Sequence, residues 1–253
     1  MDKISLSKSK YCKAIQCNKL LWLDKYKPEV AVPTARDIVL ENGTKVGELA
    51  RGLFGDYINI DFNKDLNVMI EETLKSLKNK PNIITEASFN YESNFCSVDI
   101  LKNDVDGIEI YEVKSSTYIH NIYLDDASYQ YYVLKNLGLN VKSVNIVYLN
   151  KEYYRSGELE INKLFNIKNI TDIAIQKQNE IKNKIEEINK YMLENTEKEP
   201  EKDIDIYCFK PYECPYWPYC SRHLPENNIF DIRIMHKDKK FELYKRGIIN
   251  FED

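Results

Sequence analysis

Three stretches in the middle of the chain, Asn82 to Phe89, Phe95 to Leu101 and Ile108 to Val113, alternate apolar with polar residues at a period of two. Short polar, turn-rich segments separate them, and stretches of helical period lie on both sides. A period that switches from helical to strand-like and back predicts a meander of three strands within an α/β sandwich.

On the N-terminal side, Ser7 or Ser9 caps a first helix predicted to run through Cys12, Cys17 and Trp22 toward Pro28. A second helix runs from about Thr34 to Phe54, where Val46, Leu49, Ala50 and Leu53 form an apolar stripe and leave Glu48 on the polar side. A short strand at Tyr57 to Ile60 and a helix after Asp65, through Val68, Met69 and Leu77, follow. On the C-terminal side, a helix from about Asp125 to Leu137 is stopped by Gly138, and Val144 to Leu149 supplies another β-rich run. Ile181, Ile185, Ile188 and Met192 then make a narrow stripe on a long charged helix. The Glu- and Lys-rich stretch from Glu194 to Asp203 reads as a flexible linker.

A chain of 253 residues, 43% hydrophobic, is long enough for one domain with a small appended module. No stretch approaches the roughly 18 to 20 apolar residues of a membrane span, and Met1-Asp2-Lys3-Ile4-Ser5 lacks the apolar centre of a signal peptide. A cytoplasmic protein with no membrane partner is expected. With 36 Lys and Arg against 40 Asp and Glu, the net charge is −4, so a nucleic-acid contact must come from a local basic face. The 19 Tyr are spread evenly along the chain, which marks a compositional bias more than a stacking surface.

The segment Ile108-Glu109-Ile110-Tyr111-Glu112-Val113-Lys114 places Glu112 and Lys114 on the same face of a strand as Ile108 and Ile110. That face is apolar at one end and ionic at the other. Asp99 lies in the preceding strand, and a turn near Asp104 to Gly107 brings it beside Glu112. Two carboxylates so close repel unless a cation sits between them, and an oxygen-only ligand set suits magnesium or manganese. Such an ion acidifies water and stabilises charge on a phosphodiester, while Lys114 orients or deprotonates the water. The alternative is a cross-strand ion pair on a solvated hairpin. Gln130 falls on the helix face of Ala127, Tyr131 and Leu134, where a buried amide needs a partner.

Six cysteines in a reducing compartment point to metal or redox chemistry. Cys208, Cys214 and Cys220 are separated by five residues each time, with prolines and aromatics between them. Such a stiff, irregular loop suits thiolates around one centre. A fourth ligand is required: His223 would complete a Cys₃His zinc site, and Cys17 an all-thiolate iron-sulfur site.

Asp99, then Glu112-Val113-Lys114, then Gln130 in a following helix resembles the RecB-type branch of the PD-(D/E)xK nucleases. The resemblance implies a restriction-endonuclease-like central mixed sheet flanked by helices. It further implies that Asp99 and Glu112 bind magnesium or manganese, that Lys114 assists catalysis and that Gln130 lies near the site. The family's glutamine signature is Gln-x-x-x-Tyr, whereas here Leu134 takes the tyrosine's place behind Tyr131 and Tyr132. Its upstream Gly-x-x-x-His supplies a further metal ligand; here Gly43 is followed by Gly47, and the adjacent Glu48 is the substitute candidate. Glu86 in the first strand is a lesser one.

A subset of that branch, including CRISPR-associated RecB-like exonucleases and AddB-type helicase-nuclease subunits, holds a 4Fe-4S cluster with one cysteine before the nuclease core and three after it. Leu6-Ser7-Lys8-Ser9-Lys10-Tyr11 and Cys17-Asn18-Lys19-Leu20-Leu21-Trp22-Leu23 resemble the stretch around that first cysteine, which favours Cys17 over Cys12. The implied cluster ligands are Cys17, Cys208, Cys214 and Cys220. The late spacing differs from the common one, in which two of the three cysteines lie two residues apart.

The expected organisation is a cluster-ligating N-terminal segment (1–30), a nuclease core (31–195), a cysteine segment (196–225) and a tail (226–253) that is either a stub of a longer architecture or a closing element. The expected activity is hydrolysis of DNA, single-stranded or at ends, with a partner in DNA repair or CRISPR adaptation machinery. The rivals are a catalytically inactive DNA-binding module of the same fold and a zinc-binding module for RNA or protein.

Overall fold

The computed structural model describes residues 4–79, 82–196 and 198–253, and of residues 35–42 the backbone alone. In chain order its elements are β1 (Leu6–Ser7), α1 (Lys8–Gln16), α2 (Asn18–Tyr26), α3 (Ala35–Arg51), β2 (Ile58–Asn59), α4 (Leu66–Lys78), β3 (Ile83–Tyr91), β4 (Asn94–Asp104) and β5 (Gly107–Lys114). There follow α5 (Asn121–Asn136), β6 (Val141–Leu149), α6 (Ile161–Leu164), β7 (Phe165–Asn169), α7 (Thr171–Gln176), α8 (Gln178–Glu194), α9 (Trp217–Cys220) and α10 (Lys237–Lys245).

The chain divides into two compact units, Met1–Cys12 with Leu40–Asn189, and Lys13–Val39 with Lys190–Asp253. The first is α/β. Its seven-stranded sheet runs β2-β3-β4-β5-β6-β7, with β1 pairing β4 off this path. The sheet is open and mixed: β3-β4, β4-β5 and β6-β7 are antiparallel, while β1-β4, β2-β3 and β5-β6 are parallel. The predicted meander is therefore β3-β4-β5, and Gly107 (φ 133°) makes its second turn. A Cβ on Gly107 would lie 2.5 Å from the Asn140 carbonyl oxygen, so only glycine fits.

Alternation buries both faces of this sheet. On one, Ala50, Ile83, Ile100, Tyr111, Val147 and Phe165 form a cluster completed by Val46, Leu53 and Phe54. On the other, α5 packs Tyr129 against Tyr11 with ring centroids 4.6 Å apart, and the Tyr129 hydroxyl donates to the Leu6 carbonyl at 2.6 Å. Each fully buried side chain of this size is worth about 1.5–3 kcal/mol. The α3 stripe is looser than its periodicity predicts, since Leu49 is exposed.

In the second unit, Ile204, Cys208 and Phe241 form a small core with Phe209, Trp217, Phe230 and Tyr244 around it. The tail packs on that core: α10 supplies Phe241 and Tyr244 to it. Three expectations are corrected here. The first helix is two, because Cys17 is extended (φ −164°, ψ 119°) and caps α2. The helix after the meander starts at Asn121, a turn earlier than its apolar pattern indicates. The segment read as a linker is pinned, because Glu199 binds Lys19 at 2.9 Å and Lys27 at 2.7 Å. No helix among the described residues is long and apolar enough to cross a membrane.

Candidate functional site

The register of the meander decides where its carboxylates go. Ile100 of β4 faces Tyr111 of β5, so Asp99 and Glu112, one residue on, stand opposite each other. They share a face, for the Lys8 ammonium reaches both: it lies 3.0 Å from Glu112 Oε2 and 3.6 Å from Asp99 Oδ1. Asp99 Oδ2 accepts from the Val113 amide at 2.7 Å, which ties the carboxyl to the strand beside it. Lys114, two residues past Glu112 on the same face, donates to Glu112 Oε1 at 2.6 Å.

From the facing helix α5 come two more groups. Gln130 is fully buried and donates through Nε2 to Glu112 Oε2 at 2.6 Å. One turn earlier on the same helix face, Asp126 accepts from Lys114. Asp99, Glu112, Lys114 and Gln130 are therefore brought together, and the structure adds Lys8 and Asp126 to them.

Burial and mutual repulsion shape the charges. Burial opposes the ionised form of Glu112, but Lys114 and Lys8 outweigh it and hold its pKa well below the ordinary range. Burial and the Glu112 charge push Asp99 the other way, to about 7. Asp126 is raised for the same two reasons. Burial works against the Lys114 ammonium, yet Asp126 and Glu112 raise its pKa overall. Glu86 borders the group: it contributes to the rise at Asp99 and accepts from Arg51 of α3 at 3.1 Å. It does so from a left-handed backbone (φ 58°), a strained conformation for a residue with a Cβ and a recurrent one beside functional sites.

The helix α3 meets this corner through Arg51. Glu48 is exposed on that helix, and no hydrogen bond or ion pair joins it to Asp99 or Glu112 among the described residues. Gly47 has open space where a Cβ would be.

An aromatic run starts beside Lys114, whose ammonium lies 5.1 Å above the Tyr123 ring. Tyr123 meets His120 at 5.0 Å, and His120 meets Tyr118 at 4.3 Å. Tyr118 is 61% exposed at the outer end.

The second unit carries the thiols. Cys17, Cys208, Cys214 and Cys220 line one small cavity together with Leu20, Leu23, Tyr216 and Trp217, and Lys19 and Lys202 are at its wall. Burial pushes the Cys208 and Cys214 thiols up to about 12, and each also feels Cys17 and Cys220. The Tyr191 hydroxyl is buried without a hydrogen-bond partner, and its pKa is raised to about 12 by burial and by Cys17. His223 is exposed and turned to other partners: Nδ1 is 3.1 Å from the Cys220 carbonyl oxygen and Nε2 3.0 Å from the Tyr244 hydroxyl. Cys12 belongs to the first unit, where burial and Asp126 raise its pKa. All six cysteines are free.

The donor types at the two clusters differ in the metal chemistry they suit. Four thiols lining one cavity are soft donors. At the acidic corner, Asp126 Oδ1 and Gln130 Oε1 are buried oxygens without a hydrogen bond, the kind of acceptor a hard cation satisfies. As the groups stand, no three His, Cys, Asp or Glu side chains among the described residues close tightly enough to bind an ion. No protein-family model matches this chain, and no curated protein matches it significantly.

Proposed function

We propose that this chain is a metal-dependent deoxyribonuclease of the PD-(D/E)xK superfamily, in its RecB-like iron-sulfur branch, acting on single-stranded DNA or DNA ends. The observation that carries the reading is the meeting of Asp99, Glu112 and Lys114 on one face of β4-β5, with Gln130 donating to Glu112 from α5. The open mixed sheet with α5 on one face is compatible with a restriction-endonuclease-like core.

Asp99 and Glu112 would hold magnesium or manganese, which supplies Lewis-acid polarisation of the phosphodiester and acidifies water. Gln130 fixes the Glu112 carboxylate, so its oxygens are pre-positioned. Lys114, long enough to pivot off Glu112 and Asp126, orients the attacking water or offsets the charge that develops on the phosphate. Tyr118, exposed at the outer end of the run through His120 and Tyr123, offers a ring face to an unpaired base, which supports a single-stranded substrate.

Cys17, Cys208, Cys214 and Cys220 would bind a structural 4Fe-4S cluster, with Lys19 and Lys202 offsetting its negative charge. Free cysteines agree with a reducing cytoplasm, where partners in DNA repair or CRISPR adaptation would be met.

One observation favours a second reading, a DNA-binding module without catalysis: Gly47 stands where the branch has a metal-ligating histidine, and Glu48 is turned to solvent. The deciding experiment is cleavage of labelled single-stranded DNA, duplex DNA and RNA with magnesium or manganese. Wild type should cut DNA, while Glu112→Ala and Lys114→Ala should be inactive with an unchanged circular dichroism spectrum. Tight binding of DNA by wild type with no cleavage under any metal would favour the module instead.

A further inference from the structure

Lys8 has no part in the scheme above, yet it is the most central cation of the acidic corner. Its Nζ lies 3.1 and 3.0 Å from the two Glu112 oxygens, 3.6 Å from Asp99 Oδ1 and 3.9 Å from Asp126 Oδ1. The fold brings it there by a specific route. β1 pairs with Asn94 and Phe95 at the start of β4, on the edge that β5 occupies further along from Ile100. The chain therefore enters α1, whose first residue is Lys8, at the end of β5 that carries Glu112 and Lys114.

We infer that Lys8 is a built-in counter-cation, whose ammonium takes the divalent ion's place among Asp99, Glu112 and Asp126 in the free protein and withdraws when that ion binds. The inference rests on the reading of this corner as a metal site and adds a residue to it. Three carboxylates face two ammonium groups here, and Lys114 alone would leave the excess negative charge buried. Lys8 is an incomplete substitute for an ion, though. It hydrogen-bonds only Glu112, so Asp126 Oδ1 and Gln130 Oε1 remain without a donor, although Asp126 is 93% buried and Gln130 wholly so. A divalent cation offers more charge and more ligand positions at the same place. The lysine suits an exchange of this kind, because its compact ammonium rides on a flexible four-carbon stem, and its side chain keeps a 19% opening to solvent.

The exchange makes Lys8 a competitor of the metal and sets it apart from a residue that only holds the fold. The test is Mn²⁺ binding, followed by electron paramagnetic resonance, to the full-length cluster-loaded protein. Wild type, Lys8→Met and Glu112→Gln are compared, without nucleic acid. Lys8→Met should bind Mn²⁺ at least about tenfold more tightly than wild type, as expected for deleting a like charge a few ångströms from the ion; Glu112→Gln should lose the site. In wild type, Mn²⁺ should also raise the rate at which Lys8 is acetylated by an amine-reactive ester several-fold, a measurement that stands even if the Met variant folds poorly. Unchanged or weaker Mn²⁺ binding by a folded Lys8→Met protein, or Lys8 labelling indifferent to bound Mn²⁺, overturns the inference and leaves the carboxylate site intact. Absence of Mn²⁺ binding that depends on Glu112 in all three proteins overturns the inference and the nuclease reading together.

Discussion

Gln130 of α5 donates its side-chain amide to Glu112 of β5 at 2.6 Å, and both residues are buried. The contact joins a helix to the strand that carries Glu112 and Lys114. Gln130→Ala would leave a buried charged carboxylate with one donor fewer, a loss of about 1–3 kcal/mol. Urea unfolding should show that loss together with reduced cleavage. Stability within about 0.5 kcal/mol of wild type, the usual range for an unimportant surface change, would mean that the amide does not position Glu112.

Asp99 and Glu112 should respond to pH in opposite ways. The Glu112 pKa is lowered, so its contribution to stability is present above the usual carboxylate range and is lost only as pH falls far into acid. Asp99 is raised to about 7, so the folded protein holds a proton there in weak acid, and the associated stability is lost as pH climbs through neutrality. A cation must displace that proton. Mn²⁺ affinity should therefore increase as pH rises toward about 7, and Asp99→Asn should weaken binding and flatten that rise. A flat profile in wild type would show that Asp99 holds no proton near neutrality.

The two N-terminal cysteines should behave differently. Cys17→Ala removes a thiol from the cavity shared with Cys208, Cys214 and Cys220, so protein purified without oxygen should lose its brown colour and visible absorbance. Cys12→Ala should keep both. If the cluster contributes even about 3 kcal/mol, its loss lowers Tm by roughly 6–12 °C for a chain of this length. Because burial holds Cys208 and Cys214 near 12, loading must release protons and should tighten as pH rises. A colourless wild type containing zinc would replace iron-sulfur by zinc at these thiols.

Tyr118 is the outermost ring of the run that begins at Lys114. If bases stack on it, Tyr118→Ala should weaken binding of single-stranded DNA by about 1–3 kcal/mol and duplex binding far less. Fluorescence anisotropy with calcium in place of magnesium measures this without cleavage. Equal losses on both substrates would argue against recognition of unpaired bases.

What the sequence could reveal depended on how local the cause was. The period of two exposes β3, β4 and β5 directly, and the same period puts Glu112 and Lys114 on one face, because both follow from neighbouring residues alone. Asp126 was within reach as well: it lies four residues before Gln130, hence on the same helix face. Lys8 was not. Its place depends on two residues of β1 pairing with Asn94 and Phe95, a contact far along the chain with no periodic signal. The break at Cys17 carries neither glycine nor proline, and the anchoring of Glu199 rests on Lys19 and Lys27, so these too escaped a reading of local pattern.

The thiol cavity draws its walls from residues 17–23 and from residues 202–220, two stretches far apart in the chain. Cys17 is made before its companions and stays without them until Cys220 has followed, and Phe241 and Tyr244, which belong to the adjoining core, emerge later still. A metal held by all four thiols would then be loaded only once Cys220 has been made. Until then Cys17 stands without the other three thiols of the cavity.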